Sequence, residues 1–345
     1  MDNTTPVTAV DIHAHFVSID PLPDDGTAPL CVVDPAGGRV VRGGSVLRAL
    51  TSAAWDVGDR LRIMDNALVS HQVISTLPVM MEHAWQADPA YARALNDSLA
   101  AACNSGGGRL WGLGCLAAAA PLSELERCLE LGLRGIMVGT RMGSSDLDDP
   151  ELQNLWAACD EAGACVFVHP VDGGRRVLRR AAAPLDTGLG MITDTAMAAY
   201  ALVFGGVLQN HPTLRVALAH GCGTFAWAAP RLHHVVAAAG DDRVRNGDWE
   251  TLTRRLYADT LVLDPSLLAL LERRLGPNRL LLGSDSPLLP LDDAVRVLDR
   301  AFNSGDLSTT SRRDLMASNA LEFLGLTTER GAAADAALIS TRRGT

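Results

Sequence analysis

Short apolar runs alternate along this chain with longer amphipathic segments, and this rhythm constrains the fold more than any other feature. Each run is rich in β-branched or other apolar residues and bounded by turn-forming residues, which is typical of a buried strand. We predict eight strands, at residues 8–16, 71–78, 109–116, 135–140, 164–170, 214–221, 255–260 and 279–287. Eight parallel strands are the number that closes a barrel.

The segments between these runs have the length and pattern of crossover helices. Several begin at Asp, Ser or Pro, which suit the first turn of a helix. We predict helices at residues 59–70, 89–104, 123–131, 150–162, 193–209, 265–275 and 291–303. The sequence therefore favours an α/β fold, a (β/α)₈ TIM barrel, as a single domain over residues 1–326.

Residues 17–54 interrupt this rhythm. They contain "LCVVDPAGGRVV", two apolar runs that flank a Pro-Ala-Gly-Gly turn, which predicts a small β-hairpin. Because the insert follows the first strand, we expect it to lie over the active-site face. Residues 327–345 are rich in alanine and aperiodic, and we predict a separate C-terminal tail.

Histidine and aspartate occur at the ends of four predicted strands. In a parallel barrel the carboxyl ends of the strands form the catalytic face, so these positions are informative. They are His13, His15, His169, His220 and Asp285.

The pair in "VDIHAHF" can share one ligand, because alternate residues of a strand point to the same side. His13 and His15 therefore face together, with Ala14 between them. Such a pair alone is more often structural than functional. A third imidazole and a carboxylate would complete a nitrogen-rich site for zinc or a similar divalent transition metal.

With these residues identified, the chain resembles the amidohydrolase superfamily. Within it, the chain resembles the metal-dependent nonoxidative decarboxylases typified by 2-amino-3-carboxymuconate-6-semialdehyde decarboxylase. The resemblance extends over nearly the whole chain and is carried by "VDIHAHF", "WDVGDRLRIMD", "STLPVMM", "FVHP", "GLGMITDTAMAAYALVFGGVL", "LRVALAHGCGTFAW", "YADTLVLDP", "LLLGSDSP" and "SNALEFLGL".

The resemblance implies that His13, His15, His169 and Asp285 hold one divalent metal ion, with His220 as the catalytic acid or base. It also implies that Arg48 binds a substrate carboxylate and that the protein is a homodimer. Binuclear members bridge two metals with a carbamylated lysine, but all 30 basic residues here are arginine. We therefore expect one ion, Zn²⁺, and a small carboxylic acid as substrate.

Two further residues, His83 and Trp85, follow the second strand on the catalytic side, and we predict that they line the substrate pocket. Tryptophans that the decarboxylases carry near the "HP" and "GM" segments are absent from "HPVDGG" and "AAAPLDTGLGM". A second arginine, supplied in the family by the neighbouring subunit, has no clear counterpart, although Arg243 and Arg245 lie in the corresponding region.

These departures leave alternatives open. The first hypothesis is decarboxylation of an aromatic or muconate-type acid. The second is a cyclase or hydrolase of natural-product biosynthesis on the same metal site, for example benzoxazole formation from 3-hydroxyanthranilate-derived substrates. The third is a binding protein without metal.

Charge and composition exclude other classes of function. The formal net charge is −10 and we find no long basic stripe, so nucleic acid is not an expected partner. The start of the chain lacks the pattern of a secretory signal, and the most apolar run, near residues 196–208, is too short to cross a bilayer. The seven cysteines, an odd number without paired short spacing, are typical of reduced thiols. We therefore expect a cytoplasmic protein without a membrane partner.

Overall fold

Eight parallel strands lie side by side in the order in which they occur in the sequence. The structure is a computed structural model, and it describes residues 5–35, 37–171, 173–180, 182–239 and 249–326. From the first to the eighth, the barrel strands are Val10–His15, His71–Ser75, Leu110–Gly114, Gly135–Gly139, Cys165–His169, Val216–Leu218, Tyr257–Asp259 and Leu280–Leu281. All eight predicted strands are therefore present.

Hydrogen bonds between the first barrel strand and the segment around the eighth close the barrel. The amide of Ile12 donates to the Leu282 carbonyl at 2.9 Å, and the amide of His15 donates to the Ser286 carbonyl at 2.7 Å. In return, the Asp285 amide donates to the His13 carbonyl at 2.7 Å. The TIM-barrel prediction is confirmed. Closure brings His13 and His15 of the first strand next to Asp285, which follows the eighth strand.

The helices pack around the barrel and alternate with its strands. They span Val57–Asn66, Pro78–Gln86, Pro89–Ser105, Pro121–Glu130, Gln153–Ala162, Met191–Phe204, Val207–Asn210, Phe225–Ala239, Trp249–Thr253, Pro265–Leu275, Leu291–Ser304 and Asn319–Phe323. Aspartate side chains cap three of them at the N-terminus, where Asp56, Asp88 and Asp264 each accept a hydrogen bond from a first-turn amide.

The helix predicted at residues 193–209 is in fact two helices. Met191–Phe204 ends at Gly205, and Val207–Asn210 begins after Gly206. Gly206 has a φ of +89°, in the left-handed region that glycine adopts most readily, so the helix breaks there. The continuous apolar pattern across the break hid it from sequence analysis.

Both faces of the barrel strands are apolar, as expected for a parallel sheet covered by helices. In the fifth strand, Val166 and Val168 belong to the cluster packed against the helices. Cys165 and Phe167 belong to a second buried cluster. The Phe167 ring lies edge-on to His13, with 5.0 Å between ring centroids, so His169 two residues later faces the same site.

The insert after the first barrel strand forms a three-stranded antiparallel sheet, Leu30–Asp34, Gly37–Arg42 and Ser45–Leu50. The hairpin predicted from the two apolar runs thus has a third strand, which its exposed pattern did not indicate. The insert contacts the helix after the second barrel strand, because Arg42 Nη2 donates to the Val79 carbonyl at 3.4 Å. The tail at residues 327–345 lies outside the described residues, and the domain bounds stay a prediction.

One helical run among the described residues, Asp186–Phe204, is long and apolar enough by composition to cross a membrane. Length therefore does not exclude a span, contrary to the expectation from residues 196–208. Half of the run is buried inside the fold, however, which is typical of a core helix. All seven cysteines are free thiols, as the sequence predicted.

Candidate metal centre and active site

Four side chains at the carboxyl ends of three barrel regions converge on one point. His13 and His15 come from the first strand, His169 from the end of the fifth, and Asp285 from the segment after the eighth. Their potential ligand atoms all lie within 4.8 Å of one another. The sequence predicted this group of four in full, and the structure brings all of it together.

The three histidines present their Nε2 atoms to this point and use Nδ1 elsewhere. Nδ1 of His15 lies 3.0 Å from the Thr76 carbonyl oxygen, and Nδ1 of His169 lies 3.0 Å from the Pro170 carbonyl oxygen. A carbonyl oxygen only accepts, so in both rings Nδ1 carries the hydrogen and Nε2 keeps a free lone pair. Nδ1 of His13 lies 2.7 Å from Asp259 Oδ2 in the same arrangement.

The atoms that face the common point are buried and lack hydrogen-bond partners among the described residues. They are Nε2 of His13, His15 and His169, and Oδ1 of Asp285. Buried polar atoms are normally satisfied, so four such atoms in one place indicate a ligand that accepts lone pairs. Three imidazole nitrogens and one carboxylate suit a divalent transition metal.

Asp285 is held in this position by its backbone. Its φ is +61°, a conformation that non-glycine residues rarely adopt and that often marks a functional site. Its Oδ1 lies 3.1 Å from Nε2 of His15 and 3.5 Å from Nε2 of His13. Burial alone would raise the pKa of the Asp285 carboxyl, but the hydrogen-bonding contact with His15 and the nearby His13 imidazole hold that pKa well below its usual range.

Burial sets the protonation of the imidazoles. It lowers the pKa of His15, and it lowers the pKa of His169 far more, with a further contribution from the neighbouring histidines. Burial also opposes protonation of His13, but the Asp259 and Asp285 carboxylates outweigh it and raise the His13 pKa. Because metal ligands must be deprotonated, the neutral rings of His15 and His169 and the ionised Asp285 are ready for a cation, whereas binding would displace any proton from Nε2 of His13.

His220 lies beside the four donors. Its ring centroid is 5.4 Å from that of His13 and 5.3 Å from that of His169, yet it does not belong to the group of four. Burial lowers the pKa of His220, so its ring is neutral at neutral pH. A histidine next to this group of four and partly open to solvent suits proton transfer, and the catalytic role of His220 stays a prediction.

The predicted substrate-binding residues lie outside the metal-binding group, and their role stays a prediction. Arg48 is exposed on the third strand of the insert, and its side chain makes no hydrogen bond or ion pair with any described residue. His83 packs edge-on against Tyr91, with 4.8 Å between centroids. Trp85 lines a groove of about 930 Å³ together with Met142 and Leu155.

Asp259 and a buried polar network behind the first strand were not predicted from the sequence. Arg60 is fully buried and donates from Nη2 to the His15 carbonyl and from Nη1 to Gln72 Oε1 at 2.6 Å. Gln72 in turn donates to Asp11 Oδ2 at 2.7 Å. Aspartates within or at the end of strands, in "VDIH" and "YADT", were the available signal. Arg243 and Arg245 lie outside the described residues.

Comparison with known proteins agrees with this geometry. The amidohydrolase family matches residues 10–326. The 2-amino-3-carboxymuconate-6-semialdehyde decarboxylase of Dictyostelium discoideum is 34% identical over 295 residues, which cover 82% of this chain and 80% of that protein.

Two solved structures share the fold. Metarhizium anisopliae IDCase in apo form is 23% identical with a TM-score of 0.75, over 92% of this chain and 97% of that one. A 5-carboxyvanillate decarboxylase from Novosphingobium aromaticivorans, complexed with manganese and 4-hydroxy-3-methoxy-5-nitrobenzoic acid, is 20% identical with a TM-score of 0.67, over 80% and 82%. From the family match and the 34% identical relative, we conclude that this chain belongs to the amidohydrolase family.

Proposed function

We propose that this protein is a metal-dependent nonoxidative decarboxylase of a small aromatic or muconate-type carboxylic acid, such as 2-amino-3-carboxymuconate semialdehyde. The observation that carries the proposal is the group of four unsatisfied buried donors with His220 beside it. The relative from Dictyostelium discoideum supports the same reaction class, because it carries that activity in its name.

His13, His15, His169 and Asp285 would hold the metal. A divalent ion there supplies Lewis-acid polarisation of a substrate oxygen, which stabilises negative charge on the substrate. Loss of CO₂ breaks a carbon–carbon bond and leaves its electron pair on the ring or chain carbon. His220, whose ring is neutral in the free site, would take up a proton from a water or a substrate hydroxyl and pass it to that carbon.

Zinc is our choice among the divalent ions, because three nitrogens and one carboxylate form a site that zinc prefers. Manganese is the competing choice, since the decarboxylase from Novosphingobium aromaticivorans was solved with that metal. Metal analysis of the purified protein distinguishes the two.

Arg48 is our choice for the group that binds a substrate carboxylate. R48A is expected to raise KM by about 10-fold with a smaller change in kcat, because it removes a charge-assisted hydrogen bond made to the bound acid. R39A is the matched control. Arg39 lies on the neighbouring strand of the insert but is paired with Asp34 at 2.6 Å, so its removal should leave KM unchanged. If R48A, like R39A, leaves KM unchanged, Arg48 does not bind the substrate.

We also propose that the protein is a homodimer and that it is located in the cytoplasm. Two adjacent helices expose large apolar side chains that a second copy would cover, with Trp227 at 76% and Met197 at 49% relative exposure. Large exposed apolar residues that cluster mark interaction surfaces. The free cysteines support a reducing compartment.

The reaction is tested with the metal-loaded protein and two classes of acid. We expect 2-amino-3-carboxymuconate semialdehyde, or a related aromatic acid, to lose the mass of one CO₂ in an enzyme-dependent manner. The same incubation with 3-hydroxyanthranilate-type acids tests the cyclase alternative. Loss of water with ring formation and no release of CO₂ would overturn the decarboxylase proposal.

A further inference from the structure

The carboxylate of Asp259, at the end of the seventh barrel strand, connects two parts of the site. The side chain is fully buried. Its Oδ2 lies 2.7 Å from Nδ1 of His13, and its Oδ1 accepts from the backbone amides of Gly221 at 2.8 Å and Leu261 at 3.1 Å. We propose that Asp259 is a positioning residue that fixes both the His13 imidazole and the turn that carries His220.

Asp259 gives His13 an environment that the other two histidines lack. Nδ1 of His15 and of His169 meets a backbone carbonyl, whereas Nδ1 of His13 meets a carboxylate. A carboxylate accepts more strongly, so it fixes the ring orientation and makes the opposite nitrogen a better electron donor. Nε2 of His13 is the atom that faces the metal position.

The second contact of Asp259 acts on the turn after the sixth strand. His220, Gly221 and Cys222 all have positive φ, at +53°, +59° and +53°. Such a turn persists only where its surroundings hold it. The Gly221 amide is tied to Asp259, and a Cβ at Gly221 would lie 2.4 Å from Val262 Cγ1, so the centre of the turn is held on both sides.

The fold makes room for the Asp259–His13 contact at Gly283. A Cβ at this position would lie 2.6 Å from Asp259 Cβ and 3.1 Å from His13 Cβ. Gly283 does not have a positive φ, so the requirement for glycine there is steric. The motif "LLLGSDSP" therefore contributes Asp285 to the proposed metal site. Its Gly283 leaves the space that lets Asp259 reach His13.

A purely structural carboxylate offers the contrast. Glu272 is also buried and accepts from the amides of Ser308, Thr309 and Thr310 at 2.7–3.1 Å. These contacts hold a loop and involve none of the site residues. Glu272 is therefore a matched control for Asp259. Both are buried carboxylates that accept from backbone amides, but only Asp259 contacts a histidine of the site.

The test compares D259N with E272Q. We expect D259N to bind Zn²⁺ about 10- to 100-fold more weakly in competition with a chelator, the usual effect of removing the carboxylate partner of a metal-bound histidine. The visible spectrum of the Co²⁺-loaded protein should also change. Asparagine keeps an oxygen that can accept from the Gly221 and Leu261 amides, so D259A tests the turn: at saturating metal, its kcat should remain below that of D259N. E272Q should lose stability and keep metal affinity, spectrum and kcat.

A second pair of variants covers the case in which D259N does not fold. G283A should push Asp259 and His13 apart and weaken metal binding in the same way. G188A is its control, since nothing lies within 4 Å of a Cβ at Gly188 and its φ is not positive. Wild-type metal affinity and an unchanged Co²⁺ spectrum in D259N or G283A would overturn the effect on His13. A D259A enzyme with the kcat of D259N at saturating metal would overturn the effect on His220.

The role of His220 in this inference rests on the proposed function, but the metal measurements do not. A wild-type protein that binds metal and releases no CO₂ would overturn the proposed reaction and leave the Asp259–His13 result intact.

Discussion

Replacing His220 with asparagine is expected to lower kcat by about 10²- to 10⁴-fold, the usual contribution of a positioned proton donor or acceptor. The ring of His220 lies 5.3 Å from that of His169, but His220 is not one of the four donors. H220N should therefore keep its metal and lose the group that delivers the proton. Metal content of the purified variant, measured beside its steady-state kinetics, separates the two roles.

H71N is the matched control for this substitution. His71 is also a buried histidine, but it begins the second barrel strand and so lies at the opposite end of the barrel. Its ring stacks on Trp111, with 4.7 Å between centroids. Loss of this ring should affect stability and leave kcat intact. An H220N enzyme with full turnover, or one without metal, would refute the proton-transfer role.

The metal ligands could be predicted because each depends on local rules. The alternation of a strand places His13 and His15 on one side, and parallel topology places the ends of the first, fifth and eighth strands at one edge. The structure adds the orientation of each ring, which is fixed by the Thr76 and Pro170 carbonyls and by Asp259. Sequence predicts which residues meet, but not which nitrogen faces the metal.

Asp259 could not be predicted in the same way. It is 246 residues from its partner His13 in the sequence, and nothing in "YADT" distinguishes a positioning carboxylate from a turn residue. The contact between Asp259 and His13 forms only in the closed barrel. Closure places the first strand beside the eighth, and Gly283 leaves space for Asp259 of the seventh strand to reach His13. The network of Arg60, Gln72 and Asp11 lies between neighbouring strands and reaches across the closure where Ser284 Oγ donates to Asp11 at 2.6 Å.

The third strand of the insert was missed for a different reason. Ser45–Leu50 is exposed at its first five residues, so it lacks the alternation that burial of one face imposes. Its position comes from pairing with Gly37–Arg42, in which Arg48 lies opposite the buried Val40. Propensity alone does not indicate an edge strand of this kind.

Removing the metal is expected to have an effect as large as the loss of His220, and D285N tests it within the chain. Asp285 supplies the only negative charge among the four donors, so without it three imidazoles must hold a divalent cation. We expect D285N to bind Zn²⁺ more than about 100-fold more weakly, because even an outer partner of a ligand contributes about 10- to 100-fold. Turnover should fall with metal content.

Thermal unfolding gives a readout of this prediction that does not depend on the substrate. A ligand that binds only the folded state stabilises it by about 4 kcal/mol at a concentration 1,000 times its Kd. Wild-type protein treated with a chelator should therefore unfold at a lower temperature, and added Zn²⁺ should restore both Tm and activity. D285N should show no such rise at the same Zn²⁺ concentration. D264N should behave as wild type, since Asp264 is exposed and is not one of the four donors, and asparagine caps its helix equally well. A D285N protein that still gains stability from Zn²⁺ would place the metal elsewhere.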